Sequence, residues 1–567
     1  MRIRYRILIL SIISLLMASS CTRKTNRRTA IEDLLKVEVL NGKDSHWVSG
    51  WSDADTLFIA IPSYACDDSL KVRAERLSVY DPTIGNESVA FVKPDGIYQV
   101  KGQRRFVLKV LKSASVATVY IDTESGSEAY INQDKSNREG CDLLVVDCNG
   151  EIAYSSDVFE CTIKGRGNTS WRLTDKKSYQ VKLPKKASLL GMNPAKKWVF
   201  LANAFDRTNL RNKIVFEFGR QLDIGFVPDS RYADVFINEK YYGLYLITEK
   251  VEYKKNRVYV EDCDSVFLLH QTSESTGNGR PDCFVTDHAQ IIAIDYPDIS
   301  DQSIATAKQL VLEMEQMILE EQNLDFQRCF DMRSWACKYL VDDIFENTDC
   351  NYRSSYFYVV CTNGAVKYCA GPLWDYDRGA GNNMCNRAPD MFLARRSWKK
   401  KNAYTPYYQA LIDKPEFFDV VCELYRGTLR PLLDSLVYAG GISSIEAEIR
   451  QSSWVNSQKY RATNEHIDKA LLVDNLDKLV AHLEKRIELL DKIYIDLAPH
   501  VLVSYEIINR KNFYCYKTIP KGEKLDRTML VGAEQNPDVE WALKGTDQPF
   551  DFSRELTEDI VLDILEK

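Results

Sequence analysis

The spacing of hydrophobic and polar residues changes once along this chain. Between residues 45 and 160, short β-rich runs (56–61, 105–110, 116–121 and 141–146) alternate with turns, a pattern that predicts strands of a sandwich or an extended sheet. Runs at 179–183, 198–201, 232–237 and 242–248 continue it, the last two joined by a hairpin turn at Asn238-Glu239-Lys240. Residues 210–222 read as a helix among them. Beyond residue 300, apolar positions fall at helical spacing: Ile304, Ala307, Leu310, Val311, Met314, Met317 and Ile318, then Trp335, Tyr339, Leu340 and Ile344, and later Leu476, Leu479, Val480, Leu483, Ile487, Leu490 and Ile493. These stripes predict core-facing helices. A hairpin over 356–370, with Asn363-Gly364 at its tip, interrupts them. The predicted class is α+β, with a β-rich N-terminal half, a helical C-terminal half and a mixed appendage over 501–567.

The N-terminus has a separate character. Arg2, Arg4 and Arg6 precede an apolar run over 7–17 and then Ala18-Ser19-Ser20-Cys21. A basic start, a short apolar stretch and small residues predict a secretory signal peptide. Cys21 in that context resembles the lipobox cysteine of bacterial lipoproteins and would carry a lipid anchor; the alternative is an ordinary signal peptide with a chance cysteine. No later stretch reaches 18 consecutive apolar residues, so the expected mature chain, from residue 22, is anchored to a membrane without spanning it. Fourteen cysteines remain after Cys21. A two-residue hairpin turn would oppose 361 to 366 and 369 to 358, which keeps Cys361 and Cys369 apart. The chain has no CxxC pair and its six histidines are scattered, so a structural zinc site is not expected.

Composition adds a constraint and then loosens it. With 567 residues, 45% hydrophobic and 27% charged, the chain is globular and long enough for several domains. Seventy-four Lys and Arg against 81 Asp and Glu give a net charge of -7, which argues against a dedicated nucleic-acid binder. Yet residues 160–213 hold thirteen Lys or Arg and three acids, a local excess of positive charge that attracts anions. The window includes Lys164-Gly-Arg-Gly-Asn-Thr-Ser-Trp171, where two glycines bracket Arg166 and would let backbone N–H groups approach an anion. A tight turn with a solvated basic face is the other reading.

Carboxylates form the second constellation. Asp349 follows a helix in Glu346-Asn-Thr-Asp349, the hairpin intervenes, and Gly371-Pro-Leu-Trp-Asp375-Tyr-Asp377 follows it. The hairpin would bring Asp349 and Asp375, 26 residues apart, together at its open end. One acid that orients a nucleophile's proton beside another that holds Mg²⁺ is the arrangement phosphoryl transfer needs. In order it resembles the catalytic loop and metal-binding Asp of protein kinases, which also use a Lys–Glu pair from the β-rich lobe. Glu249 is a candidate for that Glu, and Lys177 or Lys182 for its partner.

Over residues 116–497 the chain resembles the spore-coat protein H (CotH) kinase family, in the lipoprotein form of Bacteroidetes-type bacteria. The residues that carry the resemblance are Ile163-Lys-Gly-Arg-Gly-Asn-Thr-Ser-Trp171, Lys176-Lys-Ser-Tyr-Gln-Val-Lys-Leu183, Lys197-Trp-Val-Phe-Leu-Ala-Asn203, Asp206 with Leu210-Arg-Asn212, Asn238 with Tyr242-Gly-Leu-Tyr245, Thr248-Glu249, Asn347-Thr-Asp349 and Pro372-Leu-Trp-Asp375-Tyr-Asp377. The resemblance implies an atypical protein-kinase-like fold over 116–500, preceded by a β-rich domain over 22–115, and ATP-dependent phosphorylation of protein Ser or Thr with Mg²⁺ or Mn²⁺. It places Asp349 as the catalytic residue and Asp375 as metal ligand, with Asp377 in support. Arg166, Lys177, Lys182 and Glu249 fall in the nucleotide-contact region, and the resemblance makes Asp206 and Arg211 structural or phosphate-side members of it. Where kinases carry a second metal-binding Asn, five residues after the catalytic Asp, this chain has Ser354, with Asn351 nearer. The rival expectation is a non-catalytic, pseudokinase-like lipoprotein that binds an anionic envelope component or a partner protein. Either would work outside the cytoplasm, lipid-anchored to the bacterial membrane, with the outer membrane as the expected site.

Overall fold

The computed structural model describes residues 31–565 apart from 42–43, 67, 86, 103, 274–276, 278, 321–322, 324, 351, 383–406, 461–474 and 509. The signal segment, Cys21 and Asn351 therefore lie outside the described residues. The chain divides into two compact units, one comprising residues up to 39 with 45–60 and 66–111, the other comprising 40–44, 61–65 and everything from 112 onward. The first unit contains a five-stranded sheet in the order Trp51–Asp53, Thr56–Ile61, Arg105–Lys112, Ile97–Lys101, Ser78–Tyr80. Alternate side chains such as Val100, Leu108 and Val110 are fully buried.

Seven strands of the second unit follow one another across a sheet: β1 (Ala117–Thr123), β2 (Arg138–Val146), β3 (Cys161–Arg166), β4 (Ser178–Ala187), β5 (Ala195–Leu201), β6 (Ser230–Ile237) and β7 (Lys240–Glu249), with a short strand over Ile152–Ser155 paired to β2 off this path. They pair in the order β5-β4-β3-β2-β1-β6-β7, and β7 pairs back onto β5 with Trp198 opposite Glu249, which closes a barrel. Only the β1–β6 pairing is parallel. Val119, Leu143, Ile163, Val181, Trp198, Val235 and Ile247 fill the interior. Because side chains alternate along a strand, Lys164, Lys182 and Lys197 point outward, on the same face as Val199, which packs into the larger core formed with the helices. Between β5 and β6 lies α1 (Arg211–Gly219), shorter than the predicted 210–222.

A second sheet holds β8 (Ser265–Thr272), β9 (Cys283–Val285), β10 (Ile291–Tyr296), β11 (Ser355–Thr362) and β12 (Ala365–Ala370), in the order β9-β10-β8-β11-β12. The hairpin expected to interrupt the helices instead completes this sheet. Strands β8 and β10 were not predicted, because Val266, Phe267, Leu268 and Leu269 are all buried and show no alternation. The hairpin register is as expected, Tyr358 opposite Cys369 and Cys361 opposite Val366. No disulfide joins the thirteen described cysteines.

The expected helices form as α2 (Asp301–Leu319), α3 (Met332–Ile344) and, further on, Leu476–Tyr494. Each starts where a side-chain oxygen takes an otherwise unpaired backbone N–H: Ser300 from Ser303, Asp331 from Ser334 and Asn475 from Lys478. Helical turns over 407–459, absent from the sequence prediction, add to the same core. Residues 500–564 form a four-stranded sheet around buried Trp541. Among the described residues, no helix is long and apolar enough to cross a membrane.

Candidate active site

The two carboxylate segments meet at the open end of the β11–β12 hairpin. After α3, Glu346 adopts a left-handed φ of 43°, and the chain turns into Asn347-Thr348-Asp349. Asn347 Oδ1 accepts the Asp349 backbone N–H at 3.1 Å, and Arg353 Nη2 donates to Asp349 Oδ1 at 2.8 Å. Beyond the hairpin, Asp375 has φ 68° and accepts from Ser354 Oγ, whose own φ is 53°. Left-handed conformations at non-glycine residues cost strain and persist only where the surroundings impose them. Burial and then the Asp349 charge push the Asp375 carboxyl above the usual aspartate range, while Ser354 and Arg166 pull it down. Burial and then Asp375 hold Asp377 well above that range.

Helix α1 fastens the second segment. Arg211 is 3% exposed. Its Nη1 pairs with Asp206 Oδ1 at 2.7 Å, its Nε donates to Gly379 O at 3.0 Å and its Nη2 to Ala380 O at 3.0 Å. Asn212 Oδ1 takes the Tyr376 backbone N–H at 2.8 Å. Of the two roles expected for Arg211 and Asp206, structural or phosphate-side, these contacts display the structural one: they hold the loop that follows Asp375 and Asp377.

The basic side also differs from expectation. At Gly165 the Trp171 ring lies 2.3 Å from where a Cβ would stand, so glycine is needed there for close packing. Gly167, at φ 98°, turns the chain, and its carbonyl accepts from Lys135 Nζ. Arg166 between them stacks on Trp374, 4.6 Å from the ring centroid, and finds no hydrogen-bond acceptor among the described residues. Lys177 clips its own loop by donating to the carbonyls of Trp171 and Thr174. Lys182 is exposed on the outer barrel face, opposite Thr162 and Lys197. Glu249 pairs with Arg257 at 2.7 Å, both side chains 2% exposed, and accepts the Asp229 backbone N–H. Neither expected lysine reaches it. Glu252, three residues on, pairs with Lys197 at 3.2 Å and with Lys254 at 3.7 Å. Lys250 stands nearby, its pKa lowered by burial and by Arg166 and Lys197. Sequence reasoning missed Lys197, Glu252, Lys250, Trp374 and Arg353 as site residues; an available signal was Lys197 on the outward parity of the strand that Trp198 opens toward the core.

Among the described residues, no three His, Cys, Asp or Glu side chains are placed to hold a metal ion by themselves. Asp349, Asp375, Asp377 and the Ser354 hydroxyl offer oxygen donors only. That suits a hard cation such as Mg²⁺ or Mn²⁺, which completes its shell with phosphate and water. Burial first, and the neighbouring carboxylates second, disfavour the charged forms of Asp375 and Asp377, and a bound cation would offset both.

A family model, CotH kinase protein, matches residues 163–490, more than half of the chain. A comparison with curated proteins finds no match. The matched span contains both carboxylate segments, Arg166 and the Lys197–Glu252 pair. The chain therefore belongs to the CotH kinase protein family, and its function is kinase-like.

Proposed function

We propose that the protein transfers the γ-phosphoryl group of ATP to Ser or Thr hydroxyls of a protein substrate. The observation that carries this reading is Arg166, a guanidinium with no acceptor among the described residues, whose charge acts on the Asp375 carboxyl. Phosphate oxygens would satisfy Arg166 and Lys197, and Glu252 would hold Lys197 in place. Asp375, with Asp377 and Ser354 in support, would hold Mg²⁺ or Mn²⁺, which supplies charge neutralisation when bound. Asp349 orients the hydroxyl and takes its proton as the new phosphorus–oxygen bond forms and ADP leaves. Catalysis in such a site is positioning and electrostatics, not covalent chemistry by the protein.

The basic signal segment ending at Cys21 supports an envelope location through a lipid anchor. Incorporation of labelled palmitate, abolished in Cys21→Ala, is the expected result there. Ser354 in place of a metal-binding Asn favours the second reading, a pseudokinase-like binder. Residues 22–567 with Mg²⁺ or Mn²⁺ and γ-labelled ATP separate the two: label transfer lost in both Asp349→Ala and Asp375→Ala supports the kinase, and nucleotide binding without transfer supports the binder.

A further inference from the structure

Asp342 stands in α3, seven residues before Asp349, and is fully buried. Its Oδ1 accepts from Tyr376 OH at 2.6 Å and from Asn347 Nδ2 at 3.0 Å. Its Oδ2 accepts from Tyr408 OH at 2.6 Å and pairs with Lys338 Nζ. Two of these partners belong to the carboxylate segments. Tyr376 lies between Asp375 and Asp377, and Asn347 holds the Asp349 backbone N–H on its own carbonyl oxygen. The Asn347 backbone N–H returns to the Asp342 carbonyl at 2.8 Å.

A buried carboxylate is costly, and Lys338 alone would balance its charge. Well-packed apolar residues of the same volume would be about as stable as that pair. What they could not do is tie two loops, 27 residues apart at Asp349 and Tyr376, to one oxygen atom. We infer that Asp342 is a positioning residue: through Asn347 and Tyr376 it sets the separation of Asp349 from Asp375 and Asp377. This rests on the phosphotransfer reading, because that chemistry is what needs the separation held; a misplacement of about 1 Å costs roughly a hundredfold in rate.

The test compares Tyr376→Phe, which deletes one hydroxyl on Oδ1, with Tyr408→Phe, which deletes one on Oδ2 and leaves both Oδ1 bonds to the carboxylate segments in place. Asp342→Asn accompanies them. With the full mature chain, Tyr376→Phe is expected to lower kcat by about tenfold or more with the ATP KM within about threefold, whereas Tyr408→Phe keeps kcat within about threefold. Asp342→Asn follows Tyr376→Phe if it folds. Equal effects from the two Tyr variants, or wild-type kcat in Tyr376→Phe, overturn the inference. Should the wild type transfer no phosphate, the proposed function fails separately, and Mn²⁺ binding in the presence of ADP, read by electron paramagnetic resonance, decides the positioning role. Weakening by about tenfold in Tyr376→Phe alone supports it. Unchanged binding, or none in the wild type, overturns it.

Discussion

Ser354 Oγ donates a 2.9 Å hydrogen bond to Asp375 Oδ2 across the open end of the hairpin. Ser354 itself is left-handed, at φ 53°, a conformation Asn adopts more readily than Ser. The backbone is therefore already shaped for the residue that kinases carry there, and an amide oxygen is the better metal ligand. Ser354→Asn should fold normally and lower the Mg²⁺ concentration for half-maximal transfer by about tenfold. Ser354→Ala should raise it. A titration of transfer rate against Mg²⁺ checks both.

The raised carboxyls of Asp375 and Asp377 predict a pH dependence. Burial, with the neighbouring carboxylates, lets the folded chain keep protons that the unfolded chain gives up from 3.8 upward. Their contribution to stability is thus present below 3.8 and lost as pH rises through the raised folded values. In EDTA, thermal unfolding midpoints should fall as pH rises from the ordinary aspartate range through the raised values, and Asp375→Asn with Asp377→Asn should flatten that slope. Mg²⁺ with ADP should restore more stability at the higher pH, where it no longer competes with protons.

Lys197 and Glu249 should separate cleanly in mutation. Lys197→Met removes the ammonium paired with Glu252, and under the proposed phosphate contact the ATP KM should rise by about tenfold or more. Glu249→Gln leaves Arg257 buried without its ion pair, so denaturant unfolding should show a loss of roughly 3–5 kcal/mol with the ATP KM unchanged. A rise in ATP KM for Glu249→Gln and none for Lys197→Met would restore the pairing expected from the sequence.

Arg166 has no acceptor among the described residues, so its removal should cost function and not stability. Arg166→Ala is expected to weaken ATP binding by about 2 kcal/mol, the worth of a hydrogen bond to a charged group. Its unfolding midpoint should stay at or above that of the wild type. Calorimetric binding and thermal unfolding on one preparation give both numbers.

Arg211 predicts the reverse. Arg211→Ala strips a buried ion pair and two loop carbonyls of their donor, and should cost roughly 3–5 kcal/mol in denaturant unfolding. Because the same side chain anchors Gly379 and Ala380, limited proteolysis should cut that loop first.

Much of this protein was legible locally. Short β-rich runs between turns located six of the seven barrel strands, β3 being missed, helical stripes located three helices, and Asn363-Gly364 set a hairpin register that the structure reproduces pair by pair. Asp349 and Asp375 could be brought together from the sequence because one hairpin joins them, and the geometry of a short turn is nearly independent of the rest of the chain. Strand β8 was not legible, since a strand buried on both faces has no period to read.

The sequence by itself determined most of the barrel strands, three of the helices, the local hairpin geometry and the surplus of positive charge over 160–213. Only the tertiary structure decided where that charge is spent. Lys176 and Lys177 go to backbone carbonyls, Arg211 to Asp206 and the Gly379 loop, Lys213 to Ser230 O and Glu217, and Lys197 to Glu252, while Arg166 stacks on Trp374 with no acceptor among the described residues. Charge partners are chosen within a few ångströms. Closure of the barrel, by pairing β5 with β7, sets those distances among residues some fifty positions apart, which no local pattern records.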